Sequence, residues 1–302
     1  MRLIQSVNLG KDADFMEKNA KIGFVGGDRR MLECAKEMSR HGFETAVCGF
    51  EEYGSLGDLI KTDLSGAVTG SCAVVLPLPC CSHADIINSP YGVRNITFSE
   101  VLDKCSDCTV FCGKPPKELR SEAQQRGIAL VDYYESERLQ ILNAIPTAEG
   151  ALCAAMENSD ITLRSSECLV TGYGRISKLL CEALKALGAE VTVCARSEEA
   201  LTWAKVNGYA ALHISALKNA VMTADFVFNT VPSRLFGRQE LDCVREDTLL
   251  IELASQPGGF DREYAEVRSL KIIYALGLPG KNSPKSAGIY ISEVLLDCLA
   301  GD

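Results

Sequence analysis

Several signals that commonly disclose a protein's chemistry are scarce in this chain. Only three histidines occur among 302 residues, and no Ser-His-Asp, H-E-x-x-H or P-loop pattern is visible. Basic residues are outnumbered by acidic ones, 31 to 40, and the resulting net charge of −9 disfavours nucleic acid or an anionic membrane as the main partner. No apolar run is long enough to span a bilayer, and the N-terminus has no signal-peptide pattern. We therefore expect a cytoplasmic protein.

Cysteine, in contrast, is abundant. The 14 cysteines are scattered through apparent strands and helices rather than arranged as a compact disulfide framework. In a reducing compartment most of them should be small buried apolar residues. Cys105-x-x-Cys108-x-x-x-Cys112 has metal-like spacing, but no fourth ligand or histidine lies nearby in the sequence. We therefore predict no metal site.

The most informative segment runs from 167 to 196. An apolar run meets a glycine turn, a helical pattern follows, Gly188 ends it, and a second apolar run closes the unit. In such a strand–turn–helix–strand unit the glycines admit a pyrophosphate to the backbone, and the helix N-terminus attracts it. Ser177 stands where a third glycine is usual, and a turn needed only for tight packing is the alternative. The cofactor-binding residues predicted here are Gly172, Tyr173, Gly174, Arg175 and Ile176.

The end of the second strand bears on which dinucleotide binds. NAD-preferring units usually carry Asp or Glu there to bind the ribose hydroxyls. Here the strand ends at Arg196 and Ser197, a cation and a hydroxyl that suit a 2′-phosphate. We therefore predict NADP as the cofactor. In the alternative reading, Arg196 is only a solvated charge, and Glu198 or Glu199 binds the ribose of NAD.

The same construction occurs earlier in the chain. Residues 21–50 align on 167–196 without a gap, so that Gly26 falls on Gly172 and Arg29 on Arg175. Asp28 replaces the second glycine, and its carboxylate would repel a pyrophosphate. We therefore interpret this copy as a substrate domain that presents Arg29 and Arg30 to a cleft. Two solvated arginines at the start of a helix are the alternative.

Alternating short apolar runs and helical patterns predict an α/β fold with two doubly wound parallel-sheet domains. We place a Rossmann-like or flavodoxin-like substrate domain at 1–145, joined by a C-terminal helix at 286–302, and a Rossmann NAD(P)-binding domain at 146–285. Thr147 is the expected N-cap of an alanine-rich connecting helix. Further strands are predicted at 72–76, 109–112, 128–131, 226–229, 249–253 and 272–275.

Ligands of open α/β sheets bind beyond the carboxyl ends of the strands. One such loop resembles the segment that flanks the nicotinamide ribose in many two-domain dehydrogenases, and its predicted cofactor-binding residues are Asn229, Thr230, Val231 and Pro232. The loop at 277–285 offers Lys281 and Lys285 as candidate ligands for an anionic substrate. His83 follows a strand end and is the histidine best placed for acid–base catalysis.

With these motifs in view, the chain resembles the A subunits of bacterial dipicolinate synthase. The segments that carry the likeness include NAIPTAEG (143–150), ELASQPGG (252–259) and GLPGKNSPKS (277–286). The departures are Ser177 and the high cysteine content.

The resemblance implies NAD(P)-dependent oxidation of dihydrodipicolinate, or of its hydroxy-tetrahydro precursor, to pyridine-2,6-dicarboxylate. The resemblance places this reaction in a branch of the lysine pathway that operates during sporulation, and it implies that the protein acts in the mother cell. The resemblance also implies that the partner is a flavoprotein-like B subunit, and we expect a homo-oligomer. Two alternatives stay open, namely another two-domain NAD(P)-dependent hydroxy or amino acid dehydrogenase, and a non-catalytic dinucleotide-binding partner of the flavin subunit.

Overall fold

The chain divides into two compact units. The computed structural model describes residues 20–301, so residues 1–19 of the expected first domain and residue 302 of the expected last helix lie outside it. The first unit ends at Gln140 and resumes at Pro284, and the second extends from Ile141 to Ser283. The boundaries expected from the sequence were 145/146 and 285/286.

The first unit is built on a six-stranded parallel sheet with the strand order β3-β2-β1-β4-β7-β8. A small antiparallel hairpin, β5–β6, follows β4. The elements are β1 Lys21–Val25, α1 Arg29–Arg40, β2 Glu44–Cys48, β3 Ile60–Lys61, α2 Leu64–Val68, β4 Ala73–Val75, β5 Cys81–His83, β6 Ile86–Ile87, α3 Phe98–Leu102, β7 Thr109–Cys112, α4 Lys117–Gln125, β8 Leu130–Asp132 and, leading into the second unit, α5 Glu137–Glu157.

The second unit repeats the architecture, with the strand order β11-β10-β9-β12-β13-β14. Its elements, and the helix that closes the chain, are β9 Glu167–Thr171, α6 Arg175–Ala186, β10 Glu190–Ala195, α7 Glu198–Val206, β11 Ala210–His213, α8 Leu217–Val221, β12 Phe226–Asn229, α9 Arg238–Leu241, β13 Leu249–Glu252, α10 Arg262–Val267, β14 Ile272–Tyr274, α11 Leu278–Asn282 and α12 Pro284–Ala300.

The predicted fold class is confirmed, because every strand pair in both six-stranded sheets is parallel. The central strands are apolar on both faces, as parallel sheets covered by helices require. β9 and β12 illustrate this: all of Phe226–Asn229 is buried, and only Glu167 of β9 is exposed. Because all strands of each six-stranded sheet run parallel, the turn after the first strand lies at the carboxyl edge of the sheet in both units.

Thr147 is not an N-cap, and the sequence-based start of the connecting helix was wrong. α5 runs without interruption from Glu137 to Glu157 and contains Pro146. Proline removes a backbone hydrogen bond inside a helix. Thr147 lies in mid-helix, is buried, and donates a hydrogen bond from its hydroxyl to the Asn143 carbonyl at 2.8 Å. Burial of the apolar helix face outweighs the local stop signal.

The segment 277–285 is also helical, although a ligand-binding loop was expected. Gly277 adopts a left-handed conformation, φ +69°, and α11 begins at the next residue. α12 then packs in the first unit against α1, where a Cβ on Gly288 would lie 2.6 Å from the Arg30 carbonyl oxygen. Glycine at this crossing lets the two helices approach closely. None of the helices within residues 20–301 is both long enough and apolar enough to cross a membrane.

Candidate functional site

The turn between β9 and α6 requires glycine at its first position. Gly172 has φ +83°, a region that side chains rarely adopt. A Cβ there would lie 2.9 Å from both Thr230 Oγ1 and Val231 Cγ2. Its N–H donates to the Cys194 carbonyl at 2.9 Å, which ties the turn to the end of β10. The protein's own packing therefore accounts for this glycine.

Gly174 has no such explanation within the described chain. Its φ of −89° and ψ of −161° are extended values open to any residue, and a Cβ would meet no atom within 4 Å. It is the N-cap of α6 but makes no side-chain capping bond, and the first turn of α6 has no acidic residue. The helix therefore presents its N-terminal N–H groups and positive potential to a space that an anion can enter.

Ser177, which stands where a third glycine is usual, is held by a buried hydrogen bond. Ser177 is fully buried, and its Oγ lies 2.8 Å from Thr230 Oγ1. Thr230 in turn donates to the Thr171 carbonyl at 2.7 Å, so Ser177 is the donor of the first bond. The chain of hydroxyls fastens the start of α6 to the ends of β9 and β12.

Tyr173 and Ile176 are placed to contribute backbone groups rather than side chains. The Tyr173 hydroxyl accepts a hydrogen bond from Asn207 Nδ2 at 2.8 Å, and its ring meets Tyr209 edge-on at 6.2 Å. Burial raises the pKa of Tyr173, so its phenol is neutral at pH 7. Ile176 packs on the core of the second unit, and Arg175 is exposed at the first position of α6.

A cavity of about 200 Å³ adjoins the turn. Burial raises the pKa of the Cys194 thiol in its wall to about 11, which keeps the thiol uncharged. Arg196 is exposed, whereas the Ser197 hydroxyl caps α7 by accepting from Ala200 N at 3.4 Å. The residues that line the cavity are Gly172, Cys194, Ala195, Arg196, Ile214, Val231, Ser233 and Leu235.

A buried network that sequence reasoning missed holds the neighbouring loops. Thr171 Oγ1 donates to Asn229 Oδ1 at 2.7 Å, and Asn229 Nδ2 donates to Glu252 Oε1 at 2.6 Å. The Glu252 carboxylate also accepts from the N–H groups of Ala254, at 3.0 Å, and Gly259, at 2.7 Å. The Asn229 side chain is thus occupied within the protein. The available signal was a buried strand that ends in Glu252 and is followed by a short loop with the glycine pair Gly258–Gly259.

In the first unit the corresponding position is filled by the protein's own charges. The Asp28 carboxylate caps α1 by accepting from Arg30 N at 3.0 Å, and it pairs with the Arg30 guanidinium at 2.8 Å. Arg30 Nη2 also donates to the Leu78 carbonyl at 2.5 Å, and the side chain is 8% exposed. Arg29 is exposed at the first position of α1.

Most of the remaining predicted site residues lie on the surface. His83 is exposed at the end of β5, next to the hairpin residue Ala84, and no side chain of residues 20–301 hydrogen-bonds to its imidazole. Lys281 in α11 and Lys285 in α12 are exposed, as is Pro232, whereas Val231 is half-buried. Within residues 20–301, no group of three or more His, Cys, Asp or Glu side chains is arranged to hold a metal ion.

Known proteins resemble this chain over nearly its whole length. The family model of the N-terminal domain of the dipicolinate synthase A subunit matches residues 21–134. The dipicolinate synthase A subunit of Bacillus subtilis (strain 168) is 31% identical over 285 residues, which cover 93% of this chain and 96% of that protein. The crystal structure of the dipicolinate synthase A subunit from Bacillus halodurans superposes with a TM-score of 0.84 at 29% identity, over 94% of this chain and 99% of that one.

A more distant likeness shows the fold alone. The crystal structure of transhydrogenase from Sinorhizobium meliloti superposes with a TM-score of 0.69 at 16% identity, over 93% of each chain. The arrangement of two parallel-sheet units therefore occurs well beyond the dipicolinate synthase proteins.

Proposed function

Because the chain belongs to the family of dipicolinate synthase A subunits, we propose that it is an NAD(P)-dependent oxidoreductase that forms pyridine-2,6-dicarboxylate from dihydrodipicolinate or its hydroxy-tetrahydro precursor. The observation that carries the proposal is the start of α6. Gly174 gives the N-terminus of α6 no capping side chain, and the space in front of this glycine is open. A cavity whose wall includes Arg196 lies directly beside the turn. A dinucleotide has the matching shape, with a pyrophosphate for the helix end and an adenosine for the cavity.

NADP is the proposed dinucleotide, and it supplies a hydride acceptor. Within the turn Gly172–Arg175, the Gly172 N–H is already bonded to the Cys194 carbonyl, so the pyrophosphate is held by the backbone N–H groups that follow it, and the exposed guanidinium of Arg196 binds the 2′-phosphate. Ser197 has a weaker claim, because its hydroxyl already caps α7. The bonded hydroxyls of Ser177 and Thr230 and the carboxylate of Glu252 keep the surrounding loops in position.

Calorimetric titration of the purified chain with NADP and with NAD tests the cofactor. We expect NADP to bind more tightly, and Arg196→Ala to weaken NADP by about tenfold, or about 1.4 kcal/mol, with little change for NAD. Arg164→Ala is a matched control, since Arg164 is an exposed arginine near the opposite end of the sheet. Tighter binding of NAD to the unchanged chain would reject the NADP assignment.

Among the cations predicted to bind substrate, Arg29 is the one we carry forward. It is exposed at the start of α1, whereas Arg30 is engaged by Asp28 and Leu78. A guanidinium binds a carboxylate through a two-pronged contact. We expect Arg29→Ala to raise the KM of the diacid substrate, and Arg40→Ala, at the other end of the same helix, to leave it unchanged. The roles of Arg30, Lys281, Lys285 and His83 stay predictions.

The proposed partner is a flavoprotein-like B subunit, in the mother-cell cytoplasm of a sporulating bacterium. Product absorbance followed from freshly generated cyclic precursor, with and without that partner, tests the activity. We expect product in the complete mixture with NADP. A complete mixture that binds NADP yet makes no product would overturn the oxidoreductase assignment and leave the chain a dinucleotide-binding partner.

A further inference from the structure

A cavity of about 420 Å³ in the first unit lies beyond the carboxyl ends of β2 and β3. Its wall includes Cys48, the last residue of β2, and Leu64, the first residue of α2. Ile96 adds a third buried apolar side chain. A cavity of this volume, with an apolar wall and a few polar groups, is typical of a small-molecule site.

This cavity lies at the same place in the first unit as the cavity proposed for adenosine in the second. Residues 21–50 align on 167–196 without a gap, and Cys48 then falls on Cys194, which lines the second cavity. Leu64 and Ile214 correspond as well, since each closely follows the edge strand of its sheet, β3 or β11. The repeated architecture has therefore kept a cavity beyond the second strand in both units.

Glu51 supplies a carboxylate in this cavity. It lies shortly after β2, the place where an acidic residue accepts hydrogen bonds from ribose hydroxyls in NAD-binding units. Its Oε1 accepts from Gly49 N and its Oε2 from Val93 N, both at 3.2 Å, which fixes the carboxylate while each oxygen keeps a lone pair for a ligand. The nearby guanidinium of Arg94 is paired with Glu100 at 3.0 Å, so Glu51 stays available.

The turn that would hold a pyrophosphate is covered in this unit. The chain that follows β6 lies over it, because the Asn88 carbonyl accepts from Gly27 N at 2.7 Å and the Ser89 hydroxyl donates to the Gly49 carbonyl at 2.8 Å. The carboxylate of Asp28 already caps the helix N-terminus. A ligand of this cavity therefore cannot extend a diphosphate onto α1.

We propose that the first unit binds a ribonucleoside, represented by adenosine, in this cavity. Glu51 accepts hydrogen bonds from the two ribose hydroxyls, and Cys48, Leu64 and Ile96 contact the base. Burial raises the pKa of the Cys48 thiol to about 11, so this wall is uncharged at pH 7. The exposed ammonium of Lys104, also in the lining, offers hydrogen-bond donors to the ring nitrogens. The unit thus keeps the nucleoside half of a dinucleotide site without the phosphate half.

Equilibrium dialysis of the full chain against labelled adenosine, with NADP at saturating concentration, tests the proposal. We expect one saturable adenosine site. 2′-Deoxyadenosine, which lacks one of the two hydroxyls, should bind about tenfold more weakly, and Glu51→Gln should weaken adenosine by about the same factor. Glu52→Gln is the matched control, because that neighbouring carboxylate is exposed and does not line the cavity.

A second variant locates the bound adenosine without altering Glu51. Ser65 is half-buried in α2 and lines the cavity, so the ring of Ser65→Phe should fill it and abolish adenosine binding. Circular dichroism verifies that each variant is folded. Adenosine binding that persists in Ser65→Phe, that NADP displaces, or that does not distinguish the deoxynucleoside would overturn the proposal, as would the absence of saturable binding. A chain that binds adenosine in this way but not NADP would instead reject only the cofactor assignment of the second unit.

Discussion

The same strand-to-helix turn serves a different purpose in each of the two units. In each, the first strand ends at a glycine with positive φ, Gly26 at +71° and Gly172 at +83°. Each of these glycines donates its N–H to a carbonyl at the end of the next strand, that of Cys48 or Cys194, at 2.9 Å. The backbone construction is therefore the same in both copies. What differs is the residue at the N-cap of the helix that follows.

Asp28 and Gly174 are the aligned N-caps, and they decide what the helix N-terminus binds. In α1 the Asp28 carboxylate itself takes the place of an anion and is locked by Arg30. In α6 the N-cap has no side chain to occupy the N–H groups. One residue thus separates a helix end that satisfies itself from one suited to an external phosphate.

The largest effect should follow from giving α6 the N-cap of α1. Gly174→Asp places a carboxylate in open space at an allowed backbone conformation, so the fold should persist. We expect dinucleotide affinity to fall at least about a hundredfold, or about 3 kcal/mol, because the carboxylate competes for the N–H groups and repels phosphate. Calorimetric titration measures it.

Gly174→Asn is the control for that experiment, since asparagine has nearly the size of aspartate without its charge. A loss clearly smaller than that of Gly174→Asp is expected. Unchanged dinucleotide binding in the aspartate variant would show that α6 is not the phosphate site.

The reciprocal change should mainly affect stability. Asp28→Ala removes the cap of α1 and leaves the guanidinium of Arg30, 8% exposed, without its carboxylate. A lost cap costs about 1 kcal/mol, and an unpaired, mostly buried charge adds to that cost, so we expect the free energy of unfolding to drop by about 2–3 kcal/mol. Urea denaturation followed by circular dichroism measures the change.

Asp28→Ala combined with Arg30→Met removes the unpaired charge and should recover part of the loss. Arg40→Ala is the matched surface control, because that arginine is exposed and pairs with Glu37 one turn earlier. A double variant no more stable than Asp28→Ala alone would argue against the charge as the cause.

Local sequence patterns were sufficient to predict both turns and most strands of the two parallel sheets, although not the edge strand β3 at Ile60–Lys61. Strands 109–112 and 226–229 were predicted to the residue. Short apolar runs that are rich in β-branched and aromatic residues and bounded by glycine, proline or polar residues are typical of buried strands. The glycine turn was recognisable because spacing alone places Gly172 and Gly174 between strand and helix. The sequence could not show why each of the two positions is glycine, because the crowding at Gly172 comes from Thr230 and Val231 in the loop after β12.

The errors arose where tertiary contacts override local signals. Pro146 and Thr147 resemble a helix start, but the helix continues through them because Ala148 and Ala151 are buried in the core of the second unit. The network of Asn229 and Glu252 could not be predicted either, because it joins the ends of two strands far apart in the sequence. That pairing engages the side chain of Asn229 within the protein, and its contact with the cofactor stays a prediction.

The smallest effect concerns the third residue of the helix that follows the turn, which is Met31 in α1 and Ser177 in α6. Met31 packs against Gly27, where a Cβ would collide with Met31 Cγ, whereas the Ser177 hydroxyl bonds to Thr230. Ser177→Ala removes one buried hydrogen bond, while Thr230 keeps its bond to the Thr171 carbonyl. We expect a loss of about 1 kcal/mol in the free energy of unfolding by urea denaturation, with dinucleotide affinity little changed. Thr202→Ala, which removes an exposed hydroxyl from α7, should cost less. Equal losses in the two variants would mean that the Ser177 hydroxyl does not fasten α6 to β12.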